Sequence, residues 1–286
     1  MTDRTVRQPV IRRSTADTRV IAVRPDGVHE RPDRLVTEEP MEIRAGGPGQ
    51  EPVPVAVTMR TPGHDFELAV GFLLTEGLVA SGADVADVRY CRLPEGEEQL
   101  YNVVTVGLRA PFDLGDRQRT LHANASCGLC GKRSLDQVEV VAAPLPPGPV
   151  VPASVIRDLP ASLRDAQRVF DTTGGLHAAG LADRAGVMRT VREDVGRHNA
   201  VDKLVGEAAL AGRLPLSDAV LVVSGRVSFE IVQKAAVAGV PVLCAVSAPS
   251  SLAVDAATRL GMTLVAFVRD GGFNIYSHAD RVDVHG

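Results

Sequence analysis

The segment of this chain best equipped for chemistry is Ser126-Cys127-Gly128-Leu129-Cys130-Gly131-Lys132-Arg133. It is a Cys-x-x-Cys pair with glycine after each thiol and two cations directly behind. A thiolate, not a thiol, is the nucleophile and the metal ligand, and adjacent positive charge lowers a cysteine pKa. The segment therefore offers three chemistries: metal binding, disulfide exchange and carriage of sulfur.

Counting ligands weighs against the first. Zinc needs four ligands in a closed structural site, or three plus water in a catalytic one. No second Cys-x-x-Cys occurs, and Cys91 and Cys244 both fall on expected strands and read as core residues. His122 stands at weak spacing as a third ligand. A zinc deaminase would show His-x-Glu followed by Pro-Cys-x-x-Cys; here no His-x-Glu occurs, and Ser126 precedes Cys127. No bound metal is expected. Gly128 and Gly131 disfavour the helix on which a thioredoxin-type pair would sit. The pair is expected on a mobile loop, where a thiol can meet one partner that loads it and another that unloads it. Cys127 is the candidate nucleophile, and Cys130 stands beside it as a resolving or assisting thiol.

A second constellation lies in the C-terminal half. Strands are expected at 219–223, 240–246 and 263–268, alternating with helices at 227–238 and from Ser250 or Ser251 to Leu260. Such alternation means parallel strands, and a parallel sheet between helices binds ligands at the carboxyl ends of its strands. Those ends carry Ser224-Gly225-Arg226, Ser247-Ala248-Pro249-Ser250-Ser251 and Arg269-Asp270-Gly271-Gly272. Arginine forks, hydroxyls, glycine amides and helix N-termini suit phosphate groups. Glu193-Asp194-Val195-Gly196-Arg197-His198-Asn199 adds a further strand-to-helix junction. Thr172-Thr173-Gly174-Gly175-Leu176-His177 adds a polar cluster with His177 as a candidate ligand or proton donor. No P-loop and no dinucleotide fingerprint occurs.

The elements that must position these groups read as two units. Short strands at 18–23, 33–36, 41–43 and 53–59, a helix at 66–78, and strands at 86–91 and 100–108 form a small α+β unit over 18–110. Residues 111–152 are rich in proline and glycine and carry the cysteine pair, with a short strand expected at 137–141. They read as an interdomain segment. Residues 153–286 then run strand 175–182, strand 187–192, helix 197–210 and the alternating elements above, a ββαβαβαβ order. In the helix at 227–238, Glu230 and Lys234 are spaced for an i,i+4 pair. Residues 1–17 read as a disordered basic terminus.

Composition bounds the rest. The 286 residues are 45% hydrophobic and 23% charged, with no Trp, so the core is built from Val, Leu and Ala. A net charge of −4 weighs against nucleic acid as a partner. No stretch is long and apolar enough to span a bilayer, and no apolar run follows Arg12-Arg13 as a secretory signal would need. The expectation is a cytoplasmic protein with no membrane partner.

Taken in order along the chain, these motifs resemble the formate dehydrogenase accessory sulfurtransferase family. The resemblance runs from about Thr18 to His278. It rests on Arg60-Thr61-Pro62-Gly63-His64-Asp65, Gly71-Phe72-Leu73-Leu74-Thr75-Glu76-Gly77, the cysteine segment through Ser134, and Thr173-Gly174-Gly175-Leu176-His177-Ala178-Ala179. Glu193 through Lys203, Ser224-Gly225-Arg226-Val227-Ser228-Phe229-Glu230, Ser247 through Ser251, and Phe267 through Gly272 complete it. The resemblance implies a sulfur carrier that accepts a persulfide from a cysteine desulfurase. It implies transfer of that sulfur to the molybdenum (or tungsten) bis-molybdopterin guanine dinucleotide cofactor before the cofactor enters formate dehydrogenase. Cys127 matches the family's persulfide carrier. Phe267, Val268, Arg269, Asp270, Gly271 and Gly272 match its cofactor-binding stretch, with Arg226, Ser247 and His177 added from the sheet edge. The implied fold is α/β: a C-terminal cytidine-deaminase-like α/β/α domain with a mixed sheet, plus a smaller N-terminal α+β domain, in a homodimer. Two other classes compete: a cofactor-holding chaperone that moves no sulfur, and a zinc-dependent deaminase-like hydrolase.

Overall fold

A computed structural model describes residues 12–91, 99–115, 142 and 144–285. The cysteine segment, His122 and the strand expected at 137–141 lie outside the described residues.

The N-terminal half begins with an antiparallel ribbon, β1 (Thr15–Arg24) and β2 (Gly27–Val36). β1 starts three residues before the expected strand, and Arg12 ahead of it reaches Glu39 at 2.6 Å. Next come β3 (Glu39–Gly46), β4 (Val53–Arg60), helix α1 (Asp65–Thr75), β5 (Val85–Tyr90) and β6 (Val103–Leu108). These four strands form one sheet in the order β4-β3-β6-β5. Period-two alternation turns Met41, Ile43, Ala45, Val104 and Val106 toward α1, where they join Leu68, Val70 and Leu73 in one buried cluster. The same alternation corrects one expectation. Cys91 donates its N–H to Val103 in a last rung beyond β5, but its side chain shares the uncovered face with Arg89 and is exposed.

The C-terminal half is a six-stranded mixed sheet in the order β13-β12-β11-β10-β8-β9. Its strands are β8 (His177–Ala182), β9 (Met188–Asp194), β10 (Val220–Val223), β11 (Val242–Ala245), β12 (Thr263–Arg269) and β13 (Gly272–Ser277). As expected, β10, β11 and β12 are parallel. β8 is antiparallel to both β9 and β10, and β13 to β12.

Both faces of this sheet are covered. Leu181, Leu221, Leu243 and Leu264 point to one face, under α4 (Arg197–Leu210), α5 (Phe229–Val237) and α6 (Ser251–Leu260). Val220, Val222, Val242, Cys244 and Val265 point to the other, under α2 (Ala153–Asp165). A short helix α3 (Arg168–Thr173) follows α2, and a two-stranded pairing of β7 (Val151–Pro152) with β14 (Val282–Asp283) flanks them.

Four of these elements depart from the ββαβαβαβ order: α2 and α3 precede the hairpin, and β13 and β14 follow β12. α2 buries Ile156, Leu159 and Leu163 at helical spacing. Pro160 sits within it, the feature that disguises a helix in a proline-rich stretch. Elsewhere the match is close: α4 spans 197–210, and α6 is capped by Ser250, which accepts from Ala253 N–H at 3.2 Å, and ended by Gly261 at φ 72°.

α4 belongs to both halves. Gly71 of α1 and Gly206 of α4 let the two helices touch backbone to backbone. A Cβ on Gly71 would lie 1.8 Å from the Asp202 carbonyl oxygen, and one on Gly206 1.8 Å from that of Glu67. Below this contact lies a buried ionic node. Lys234 of α5 reaches both carboxylate oxygens of Asp202 at 2.9 and 3.0 Å, Thr75 Oγ1 at 2.9 Å and Glu76 at 3.1 Å. The paired carboxylates outweigh burial and hold the Lys234 ammonium above its ordinary pKa. This replaces the expected Glu230–Lys234 pair: Glu230 bonds His198 instead, at 2.9 Å.

Candidate functional site

Strand direction assembles the site. Because β8 runs against β10 and β9 runs against β8, the end of β9 lies on the same edge as the carboxyl ends of β10, β11 and β12. The start of β8, His177, comes to that edge as well. Five segments therefore meet there: the β9–α4 junction, His177, 224–228, 246–251 and the β12–β13 turn. Helices α4, α5 and α6 all begin from it, so three helix N-termini face one edge, α6 with one amide already capped by Ser250. At about 4.8 Å per strand the edge runs roughly 19 Å from β9 to β12.

The loops are tied to one another. Val227 N–H donates to the Ala248 carbonyl at 3.1 Å and Ser250 N–H to that of Val227 at 2.9 Å. Phe267 N–H donates to the Ser247 carbonyl at 3.2 Å. Most hydroxyls here already have work. Ser224 Oγ accepts from Ala178 N–H at 2.9 Å, Ser250 Oγ caps α6, and Ser228 Oγ lies 3.2 Å from His198 Nε2. The groups left for a ligand are mainly amides and cations.

At one end of the edge, the backbone is strained at Phe267. Phe267 adopts φ 53°, a left-handed value that side-chain-bearing residues rarely take, whereas Asp270 at φ 54° and Gly271 at φ 75° are the two central residues of an Asp-Gly hairpin turn closed by Arg269 and Gly272. Strain of this kind persists where surroundings over-determine it, and it clusters at ligand clamps and switch regions. Its local effect is visible. The register breaks between Ala266 and Arg269, and Phe267 packs toward the α4–α5–α6 side rather than continuing the alternation. The Arg269 guanidinium stands 5.3 Å from the Phe267 ring centroid. Arg269, Asp270, Gly271 and Gly272 are exposed in a hairpin turn, whereas Val268 is buried against the opposite face and presents only its backbone to the edge.

At the other end, His177 is half-buried. Burial, then the Arg197 guanidinium and the neighbouring His198 ring, hold its imidazole below the ordinary 6.5; Asp194 opposes this and Arg226 adds to it. Gly225 permits the approach: a Cβ there would sit 3.2 Å from His177 Nδ1 and 3.6 Å from Arg197 Cδ. Arg226 is exposed.

The structure thus brings His177, Arg226, Ser247 and 267–272 to one edge, while Cys127 and Cys130 lie outside the described residues. It also divides the labour of the Glu193–Lys203 motif. Asp194 is fully buried, bonded by Lys203 Nζ at 2.7 Å, Asn199 Nδ2 at 3.0 Å, and the N–H groups of Thr61 and Gly196 at 3.1 and 2.8 Å. Lys203 also donates to the Thr61 carbonyl at 2.9 Å, and Asn199 to that of Met59 at 2.8 Å. Those residues join the sheet to the Arg60-Thr61-Pro62-Gly63-His64-Asp65 turn. Only Arg197 and His198 of this motif remain toward the edge. Reading β8–β9 as a hairpin carries the signal for them, because it returns β9 to the direction of β10. Among the described residues, no group of three His, Cys, Asp or Glu side chains is placed to hold a metal ion, and no helix is long and apolar enough to cross a membrane.

Comparison with known proteins accords with this architecture. The FdhD/NarQ family model matches residues 36–283. "Sulfur carrier protein FdhD" of Streptomyces coelicolor is 53% identical over 279 residues, covering 94% of this chain and 96% of the relative. The protein of that name from Mycobacterium tuberculosis is 51% identical over 278 residues, covering 94% and 99%. A crystal structure from Desulfotalea psychrophila, described as a formate dehydrogenase accessory protein, superposes with a TM-score of 0.72 over 95% of this chain and all of that one, at 24% identity. That likeness establishes a shared α/β fold. The chain belongs to the FdhD/NarQ family.

Proposed function

We propose that this protein is a sulfur carrier serving formate dehydrogenase. The Cys127 thiolate attacks the terminal sulfur of a cysteine desulfurase persulfide. The new S–S bond forms on Cys127, the donor's S–S bond breaks, and the donor cysteine leaves as its thiolate. The carried sulfur is then delivered to the molybdenum bis-molybdopterin guanine dinucleotide cofactor, which is the client and not a resident group: the Cys130 thiolate attacks the Cys127 sulfur, the persulfide S–S bond breaks, the outer sulfur leaves at the sulfide level, and the Cys127–Cys130 disulfide that forms is returned to thiols by a thiol reductant. Lys132 and Arg133 favour the thiolate and the anionic persulfide by charge.

The observation that supports the receiving half of this reading is the single sheet edge. It gathers three helix N-termini, Arg226, Arg269 and the strained Phe267 turn, a set suited to the phosphates and base of a nucleotide cofactor. The relatives' name supports the donating half. Assignment of Cys127 as carrier, of Cys130 as its assistant, of the interdomain position of 111–152 and of a homodimeric assembly belongs to the same proposal.

The test is complementation in a strain lacking its own carrier. Wild-type protein is expected to restore formate dehydrogenase activity and Cys127→Ala to leave it absent. Full restoration by Cys127→Ala would instead indicate a chaperone that holds the cofactor without moving sulfur.

A further inference from the structure

We propose that Arg197, His177 and Arg226 form an anion subsite at the β9–β8 end of the sheet edge, distinct from the 267–272 turn, that takes a phosphate group of the nucleotide cofactor. The inference rests on the reading of the edge as the cofactor's dock and assigns a new residue, Arg197, within it.

Arg197 carries an unused charge. Its Nε is buried with no hydrogen-bond partner, and among the described residues neither Arg197 nor Arg226 pairs with a carboxylate. The nearby acids are engaged elsewhere. Asp194 is held by Lys203, Glu230 by His198, and Glu193 accepts the N–H groups of Val169 and Phe170 at 3.0 and 2.9 Å. Withdrawing a polar donor from water without a partner costs free energy. An anion at this point would supply the missing partner.

Two further features shape the place. Gly225 has no side chain to fill the space against which His177 and Arg197 lie. Gly196, the N-cap of α4, offers no side-chain cap, so no side chain at that position takes up the first-turn amides beside Arg197. The subsite lies three strand spacings from β12, roughly 14 Å, too far for one phosphate to serve both ends.

Occupancy also has a proton signature. The groups facing His177 are Arg197, His198 and Asp194 from the β9–α4 junction and Arg226 from the β10–α5 loop, and Asp194 is already paired. The cations disfavour imidazolium; a bound anion reverses that field. Filling the subsite should therefore draw a proton onto His177.

The experiment uses the full chain with inorganic pyrophosphate as probe, followed by calorimetry and by the NMR titration of the His177 ring. Wild-type protein is expected to bind, with the His177 midpoint moving upward on addition of pyrophosphate. Arg197→Gln should weaken binding by about ten- to a hundredfold, the range for a charged hydrogen bond, and raise the His177 midpoint in the free protein. Arg226→Gln, at an exposed position, provides a second variant whose folding is not in question, and it too should weaken binding. Pyrophosphate binding unchanged in both variants, or absent in the wild type, would overturn the subsite. Persulfide loading of Cys127 is measured on the same proteins. Its loss in the wild type would strike the sulfur-carrier reading alone, and its retention in Arg197→Gln would leave any binding defect attributable to the subsite.

Discussion

Lys203 Nζ lies 2.7 Å from Asp194 Oδ2, with 1% and 0% of the two side chains exposed. The pair closes the end of β9 onto the second turn of α4 and, through the Thr61 carbonyl and N–H, onto the turn that precedes α1. A pair this deep owes its standing to completeness. Lone pairs of Asp194 are also taken by Asn199, Thr61 and Gly196.

Removing one partner should therefore be costly. Lys203→Met leaves Asp194 charged and buried, and a loss of about 3–5 kcal/mol is expected in urea unfolding. The double variant with Asp194→Asn should recover part of that loss, because the stranded charge is gone. A Lys203→Met protein as stable as wild type would show that the pair is dispensable.

The α1–α4 contact makes a second prediction. A methyl group at Gly206 would meet a backbone carbonyl, which cannot swing aside as a side chain can. Gly206→Ala should destabilise by about 3 kcal/mol or more, despite the higher helix propensity of alanine. Gly212, in open space at φ 67°, is the control: its substitution by alanine costs backbone strain without a clash. Equal melting temperatures for Gly206→Ala and wild type would contradict the helix contact.

The thiols should separate by reactivity. In a Cys127→Ala, Cys130→Ala background only Cys91 and Cys244 remain. Cys91 is exposed, whereas burial pushes the Cys244 thiol up to about 12. Iodoacetamide should therefore label Cys91 in the native protein and Cys244 only after unfolding. Rapid native labelling of Cys244 would contradict its position between the sheet and α2.

His177 gives a pH dependence with a definite sign. Its folded pKa is depressed, so below 6.5 the unfolded chain takes up the proton first. The stability associated with neutral His177 is complete above 6.5 and is lost as pH falls through the lower, folded value. His177→Gln should flatten that part of the stability profile. An unaltered slope between wild type and variant would show that the imidazole is not held neutral by its neighbours.

Much of this was legible in the residues, for identifiable reasons. The alternation of buried strands with helices places β10, β11 and β12, and capping chemistry ends α6 at Gly261, because both are local signals. What escaped is non-local. The apolar stripe of α2 is interrupted by Pro160, and its purpose appears only once a second sheet face needs covering. Cys91 is spaced like a core residue, yet nothing in the sequence tells which sheet face stays open. Asp194, Asn199 and Lys203 look like ligand groups at a strand-to-helix junction. They are struts because the 60–65 turn, far away in sequence, packs against them. Arg197 is the reverse case, lost among those struts until strand direction brings it to the edge.

The central claim is that Cys127 carries sulfur, and intact-protein mass spectrometry tests it most directly. After incubation with a cysteine desulfurase and L-cysteine, wild-type protein should gain the mass of one sulfur atom, removable by thiol reductant. Cys127→Ala should gain none. Undiminished, reductant-labile sulfur on Cys127→Ala would contradict the account.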